Sequence, residues 1–301
     1  MTRLLLLILL VLTPAAAEAQ VPAQTRAPAA LADFRSDRIV VETRGRGPDL
    51  ILIPGLASTA QIWRRTADRL DGRYRVHLVT VRGFGDVPPG ANAEGAITGP
   101  VAAEVRRYMA WRRMARPGII GHSMGGLVAL RIAADAGPAV GRVMVIDAAP
   151  FFPSLVSPAA TVGDVEPLAR IAYQAILFLG DQALRGQGSA LGDQLGGAAD
   201  SLFGALGWQG GDRGTLAQGL YEVMTTDLRS RLPDVTAPVT VVYGWSPDDA
   251  SPRAQVESLF RASYRNLRRP PRFEPIQGAE HMVMIDQPTR FNAALDRFLT
   301  P

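Results

Sequence analysis

The 301-residue chain contains no cysteine. This absence excludes disulfide bonds, a cysteine nucleophile, a thiolate metal site and a cysteine that a lipid could modify. Long apolar runs are also missing. Beyond the N-terminal segment, no stretch reaches the 18 uninterrupted apolar residues that predict a membrane-spanning helix.

Charge is modest, since charged residues make up 20% of the chain and the formal net charge is +4. The excess positive charge is almost all arginine, scattered and often beside an acidic residue. Only Arg112-Arg113 and the stretch Arg265–Arg272 are locally basic, and neither interleaves aromatic residues as a nucleic-acid surface does. Hydrophobic residues at 47% are typical of a globular protein. We therefore expect no nucleic-acid partner.

The first 19 residues have the pattern of a secretory signal peptide. Arg3 supplies a positive charge, Leu4–Leu12 form an apolar run, and Ala17-Glu18-Ala19 presents the small residues that a signal peptidase reads. Nine helical residues rise only about 14 Å, well short of a hydrocarbon core of about 30 Å. We expect cleavage after Ala19, a periplasmic or secreted protein, and no stable membrane insertion afterwards.

Short apolar segments alternate with helical patterns along most of the mature chain, as in repeated βαβ units. This alternation predicts an α/β protein with a mostly parallel, doubly wound sheet. The predicted strands are Arg38–Thr43, Leu50–Ile53, Arg75–Val81, Gly118–Gly121, Arg142–Ile146, Val239–Gly244 and Arg272–Ile276.

The alternation stops between residues 151 and 233. There the sequence has helical patterns at Val165–Leu179 and Gly214–Leu228, separated by a glycine-rich stretch that we interpret as loops. We therefore expect residues 20–150 and 234–301 to form one core, with residues 151–233 as an inserted helical cap. The cap's apolar residues would line a substrate pocket or form the cap's own core: Phe151, Phe152, Leu177, Phe178, Leu179, Phe203, Leu206 and Trp208.

The pentapeptide Gly121-His122-Ser123-Met124-Gly125 lies between a predicted buried strand and a predicted helix. This is the strand–turn–helix setting of a nucleophile elbow, in which glycines allow a strained turn and the serine hydroxyl is exposed. Ser123 is therefore the candidate nucleophile. We interpret His122 as a packing residue, because its side chain points away from that of its neighbour.

A serine nucleophile needs a base, and the chain has three histidines. His77 lies within a predicted buried strand, which favours a core role, whereas His281 follows the last strand and precedes the last helix. His281 is therefore the candidate base. The acid is expected on a loop after a strand, and Asp248 is preferred, with Asp249 and Asp147 as alternatives.

Four landmarks together resemble the α/β-hydrolase superfamily: Pro54-Gly55-Leu56, Arg82-Gly83-Phe84-Gly85, Gly121–Gly126 and Gly278-Ala279-Glu280-His281. The resemblance implies an oxyanion hole formed by the main-chain amides of Leu56 and Met124. Trp63 matches a position that often packs near the Pro54-Gly55-Leu56 loop, with core packing as the alternative. The resemblance also supports Asp248, since the spacing from Asp248 to Pro252 is similar to the family's Asp-x-x-x-Pro. Thr80 departs from the family, which commonly has an aspartate there.

These residues predict an exported serine hydrolase that cleaves a small or medium carboxylic ester or lactone through an acyl-enzyme on Ser123. We expect neither a cofactor nor a metal. An aminopeptidase or amidase of the same fold remains an alternative, as does a catalytically silent hydrolase-like binding protein. A serine in the elbow disfavours an epoxide hydrolase or haloalkane dehalogenase, which use a carboxylate nucleophile.

Overall fold

A seven-stranded sheet forms the centre of the molecule, with the strand order β1-β3-β2-β4-β5-β6-β7. The computed structural model describes residues 33–184, 209–247 and 252–300, with side chains omitted for 179–184. The predicted signal peptide and most of the glycine-rich stretch lie outside these residues. The strands are β1 (Ile39–Gly45), β2 (Asp49–Ile53), β3 (Arg75–Val81), β4 (Gly118–His122), β5 (Arg142–Ile146), β6 (Val239–Trp245) and β7 (Arg272–Gln277).

All neighbouring strands run parallel except β1, which pairs antiparallel with β3 at the edge of the sheet. Each predicted strand is present, with ends shifted by at most two residues. The predicted α/β fold class with a mostly parallel sheet is therefore confirmed.

Helices cover both faces of the sheet. They are α1 (Arg64–Leu70), α2 (Thr98–Trp111), α3 (Met124–Ala136), α4 (Val162–Leu184), α5 (Arg213–Thr225), α6 (Arg253–Ser263), α7 (Val283–Asp286) and α8 (Pro288–Leu299). Short 3-10 helices include Phe152–Leu155 and Arg229–Asp234. None of the helices within the described ranges is long and apolar enough to cross a membrane.

The two faces of β2 show why a continuous apolar run is needed at the centre of such a sheet. Side chains alternate between faces along a strand, so Ile51 and Ile53 join one hydrophobic cluster. Leu50 and Leu52 join the cluster on the other face. All four are at most 2% exposed, so both faces of the strand are buried.

The segment between β5 and β6 contains α4 and α5, which pack against each other. Glu222 of α5 connects this segment to the first turn of α2. Its carboxylate accepts hydrogen bonds from the amides of Ile97 (2.6 Å) and Thr98 (2.8 Å) and from the Thr98 hydroxyl (2.6 Å). A negative group there caps free amides and complements the helix dipole.

We expect Glu222→Gln to lower the free energy of unfolding by about 1–3 kcal/mol, because the variant presents an amide N–H to the buried amides of α2. Urea unfolding followed by circular dichroism measures the change. Glu94→Gln, an exposed glutamate on a loop, is the control and should change stability by less than about 0.5 kcal/mol. Equal losses in both variants would contradict the capping role.

Candidate active site

Ser123 lies between β4 and α3 in a strained turn, with φ 52° and ψ −124°. Positive φ is uncommon for a residue with a side chain, and here it turns the serine out of the strand. A Cβ on Gly121 would overlap the carbonyl of Gly125, and one on Gly125 would overlap the carbonyls of Ile53 and Pro54. The glycines of the pentapeptide are therefore required by the close approach of β2, β4 and α3.

The loop after β2 lies directly against the serine. A Cβ on Gly55 would be 3.0 Å from the Ser123 Cβ, so this position also requires glycine. Leu56 follows and lines the same cavity as Ser123. Met124 is the first residue of α3, so its amide has no acceptor within the helix. The two residues expected to form an oxyanion hole therefore flank the serine.

His281 is held by an aspartate. Its Nδ1 lies 2.7 Å from Oδ2 of Asp147, with the two side chains 18% and 22% exposed. A carboxylate only accepts hydrogen bonds, so Nδ1 donates, and Nε2 of the neutral ring carries the lone pair. His281 and Ser123 line one cavity. The imidazole therefore lies in the serine's cavity, and its role as the base stays a prediction.

The partner of His281 is thus one of the two alternative acids and not the preferred Asp248. Asp248 and Asp249 lie outside the described residues, and the preference for Asp248 stays a prediction. Asp147 follows β5, one strand earlier than the sequence spacing indicated. Among the described residues, Asp147 is the carboxylate that accepts the Nδ1 hydrogen of this imidazole. A positive φ of 46° at Asp147 marks the sharp turn that directs its side chain toward the histidine.

Glycine at the end of β6 lets the two loops meet. A Cβ on Gly244 would overlap the carbonyls of Ala279 and Glu280, which directly precede His281. The Asp147 amide donates to the Val242 carbonyl (2.8 Å), and the Gly278 amide donates to the Trp245 carbonyl (2.8 Å). The ends of β5, β6 and β7 are therefore tied together at the site.

His122 is fully buried beneath the base. Its Nε2 lies 2.9 Å from the His281 carbonyl and must donate to it, and the two rings are 4.6 Å apart between centroids. Nδ1 has no hydrogen-bond partner among the described residues. Burial, and next the charge of His281, lower the pKa of His122 to about 3. A neutral, packed ring agrees with the interpretation from the sequence.

His77 is also buried and belongs to a separate network. Nδ1 lies 2.8 Å from the Tyr108 hydroxyl, and Nε2 lies 2.9 Å from Oδ1 of Asp49. Burial outweighs the effect of Asp49 and lowers the pKa of His77. Its place within β3 agrees with the core role expected for it.

Thr80, where the family commonly has an aspartate, makes a hydrogen bond of its own. Its hydroxyl accepts a hydrogen bond from the Ala60 amide (2.9 Å) in the segment that precedes Trp63, which is fully buried. The nearby Arg82–Gly85 turn is held by Asn92, whose side-chain amide donates to the carbonyls of Arg38 and Arg82, both at 2.9 Å. The neutral side chains of Thr80 and Asn92 thus make hydrogen bonds in this region.

A cavity of about 280 Å³ opens at the candidate site. Its lining combines three polar residues with an apolar wall, and consists of Leu56, Ser123, Asp147, Phe152, Leu155, Leu220, Val223 and His281. Sequence reasoning missed Leu155, Leu220 and Val223. The sequence does carry a signal for Leu220 and Val223, because together with Leu216 they recur at helical spacing.

Of the aromatic and aliphatic residues expected to line a pocket, Phe152 does so. Phe151 is fully buried in the core, whereas Leu177 is 38% exposed and Phe178 is 89% exposed. The remaining four, Leu179, Phe203, Leu206 and Trp208, lie outside the residues whose side chains are described. Phe152 therefore fits the pocket interpretation and Phe151 is buried, whereas the exposed Leu177 and Phe178 fit neither interpretation.

A family model for the alpha/beta hydrolase family matches residues 50–294. The chain belongs to the α/β hydrolase family. A pimeloyl-[acyl-carrier protein] methyl ester esterase of Aeromonas hydrophila is 27% identical over 271 residues, which are 87% of this chain and 99% of that protein. A protein of the same name from Nitrosomonas europaea is 29% identical over 212 residues, which are 68% of this chain and 80% of that protein.

Solved structures share the fold. A marine microorganism esterase aligns with a TM-score of 0.62 at 20% identity, covering 88% of this chain and 100% of that one. The enol-lactonase from Burkholderia xenovorans aligns with a TM-score of 0.59 at 20% identity, covering 87% and 96%. The expectation of a hydrolase of carboxylic esters agrees with the names of the curated relatives.

The pKa of His122 makes the protein less stable in acid. The unfolded chain protonates this residue near pH 6.5, while the native state stays neutral down to about pH 3. Its contribution to stability is therefore complete above pH 6.5 and is lost progressively as the pH falls toward 3. A glutamine in place of His122 can still donate a hydrogen bond to the His281 carbonyl, but its side chain does not titrate.

Lowering the pH from 7 to 5 reduces the free energy of unfolding of both proteins. We expect this reduction to be about 2 kcal/mol smaller in His122→Gln than in the wild type. Urea unfolding at both pH values measures this difference. The same acid-induced loss in both proteins would show that His122 is already charged in the folded state at pH 5.

Proposed function

We propose that this protein hydrolyses a carboxylic ester or lactone by acyl transfer, with Ser123 as nucleophile and His281 as base. The observation that carries the proposal is the 2.7 Å hydrogen bond from His281 Nδ1 to Asp147, in a cavity that Ser123 also lines. It orients the ring, and in the neutral imidazole it leaves Nε2 as the proton acceptor that a general base requires.

In the first step, the Ser123 hydroxyl attacks the carbonyl carbon as His281 Nε2 takes its proton. The protonated imidazole then gives that proton to the leaving alkoxide, which departs as an alcohol, and the acyl group remains on Ser123. In the second step, His281 removes a proton from water, the hydroxide attacks the acyl carbon, and the proton returns to Ser123. The products are a carboxylic acid and an alcohol, or one hydroxy acid from a lactone.

The amides of Leu56 and Met124 are proposed to bind the oxygen that becomes negative in each step. Met124 begins α3, so the positive end of the helix dipole adds to its amide. One donor of this kind contributes about 3–4 kcal/mol to transition-state stabilisation. Because both donors are main-chain groups, Pro54 in place of the family's usual histidine leaves them in place.

We propose Asp147 as the acid of the triad. Its carboxylate would stabilise the imidazolium that forms when His281 takes the serine proton. Its second oxygen, Oδ1, lies 3.4 Å from the Gly244 amide, which helps to fix the carboxylate at the end of β5. The acid therefore follows β5 in this proposal and not β6.

The cavity wall supports an uncharged acyl or alcohol group. Beyond Ser123, Asp147 and His281, every described lining residue is aliphatic or aromatic, and no described lining residue is cationic. A free carboxylate on the bound part of a substrate would thus have no partner there. Four lining residues come from residues 151–233, which supports the interpretation of that segment as a cap.

We further propose export, based on the signal-peptide pattern of residues 1–19. Expression of the full chain in a bacterial host should give a periplasmic or secreted protein whose N-terminus is Gln20, because Ala17 and Ala19 suit signal peptidase. Intact-mass measurement of each fraction tests this. Replacing Ala17 and Ala19 by Arg should leave the signal uncleaved, and an unprocessed wild-type chain in the cytoplasm would contradict the proposal.

The central test compares the nucleophile with the three candidate acids. We expect Ser123→Ala to lower kcat on p-nitrophenyl butyrate by at least about 10⁴-fold and to abolish labelling by a fluorophosphonate probe. Asp147→Asn should lower kcat about 10³–10⁴-fold, because an amide neither favours the correct tautomer nor stabilises the imidazolium. Initial rates at pH 8, together with circular dichroism spectra, measure these effects.

Asp248→Asn and Asp249→Asn are the matched controls and should keep kcat near the wild-type value. A large loss in either one, with Asp147→Asn active, would contradict the acid assignment but not the nucleophile. Full activity of Ser123→Ala would contradict the mechanism. A folded wild type that neither labels nor hydrolyses esters would instead favour a silent binding protein. Amino-acid anilides, assayed in parallel, separate an ester hydrolase from an amidase.

A further inference from the structure

A second cavity of about 630 Å³ lies at the opposite edge of the sheet from Ser123. Arg142 and Arg272 begin β5 and β7, whereas Asp147 and His281 follow the other ends of these strands. Five residues of β5 separate the edges by about 16 Å. The cavity is lined by Gly141, Arg142, Pro238, Val239, Thr240, Arg269, Pro270, Pro271, Arg272, Arg297, Phe298 and Thr300.

Four arginines line this cavity, and three of them have no carboxylate partner in the described part of the chain. Arg269 has no hydrogen bond or ion pair there. Arg272 donates to the Arg297 carbonyl at 3.3 Å, and Arg142 donates to the Phe298 and Thr300 carbonyls at 2.6 and 3.1 Å. Carbonyl groups satisfy these donors without neutralising the charge.

Arg297 is the fourth arginine, and unlike the other three it has a carboxylate partner. Arg297 makes a bidentate ion pair with Glu274, at 2.9 and 2.6 Å. No acidic residue is among the described residues that line the cavity. Elsewhere, Arg69, Arg75 and Arg229 are examples of arginines that pair with an aspartate within 4 Å. Among the described residues, three arginines without a carboxylate partner thus line one concave surface that has no acidic lining residue.

We propose that this cavity binds a small oxyanion with at least two negative charges, such as a diphosphate or a tricarboxylate. A guanidinium can donate two parallel hydrogen bonds to one such group, and every basic residue of this chain is an arginine. The cavity has the size of typical small-ligand sites. It includes Arg269 and Arg272 of the basic stretch Arg265–Arg272, which the hydrolase site does not use.

The chain around the cavity is restrained. Pro270 and Pro271 lie between Arg269 and Arg272 and fix the backbone angle φ at each position. The Arg142 guanidinium lies 5.9 Å from the centre of the Phe298 ring, and its two carbonyl contacts hold it at the start of β5. Restrained cations lose less conformational entropy when an anion binds.

Isothermal titration calorimetry with inorganic pyrophosphate, on the full chain at constant ionic strength, tests this proposal. We expect saturable binding with one site. Arg269→Ala combined with Arg272→Ala should weaken it at least tenfold. The control combines Arg112→Ala with Arg113→Ala, which removes the same charge from the other basic pair and should leave affinity unchanged. Citrate, titrated in parallel, distinguishes a carboxylate ligand from a phosphate ligand.

Equal weakening in both double variants would overturn the proposal, because it would indicate attraction to net charge alone. The absence of saturable binding by either anion would overturn it as well. Circular dichroism identifies a variant that fails to fold, and in that case Arg269→Ala alone is used, since Arg269 makes no described contact. Ser123→Ala should bind pyrophosphate as the wild type does, so the result does not depend on the proposed hydrolase activity.

Discussion

The hydrogen bond between His281 and Asp147 is the interaction on which the candidate site depends. It joins loops that are 134 residues apart in the chain, and it determines which nitrogen of the imidazole is free. The bond needs the ends of β5, β6 and β7 to lie close together. That closeness depends on the parallel register of these strands and on Gly244, where any side chain would push the histidine loop away.

The sheet could be predicted from sequence because its strands are short, apolar and separated by helical patterns. Ser123 and His281 could be predicted for a related reason. A strained strand–turn–helix requires a distinctive set of glycines, and the chain offers few histidines. The acid could not be predicted in the same way. Aspartates follow both β5 and β6, and sequence spacing carries no information on which carboxylate faces Nδ1. That depends on the positive φ of Asp147, which only the three-dimensional structure reveals.

The inserted segment is tied to the core at points that its own sequence pattern does not mark. Glu222 caps α2. Gly219, about one turn earlier in α5, allows that helix to approach the loop after β2, since a Cβ at this position would lie 2.6 Å from Leu56 Cδ1. Leu220 and Val223 of the same helix line the cavity. One helix thus stabilises the core and shapes the candidate pocket. Amphipathic spacing predicted that helix, but not its contacts, because they are made to residues more than 100 positions away in sequence.

The parallel sheet also separates two kinds of chemistry. At its carboxyl edge, loops carry Ser123, Asp147 and His281 into a cavity whose other described lining residues are apolar, so that burying an unpaired charge there would be costly. At its amino edge, Arg142 and Arg272 begin strands and face an open, cationic cavity. Two sites at opposite ends of the same strands share a rigid support, yet the roughly 16 Å between them keeps direct electrostatic coupling weak at physiological salt. An anion at the amino edge would therefore influence the other edge chiefly by stabilising the shared strands.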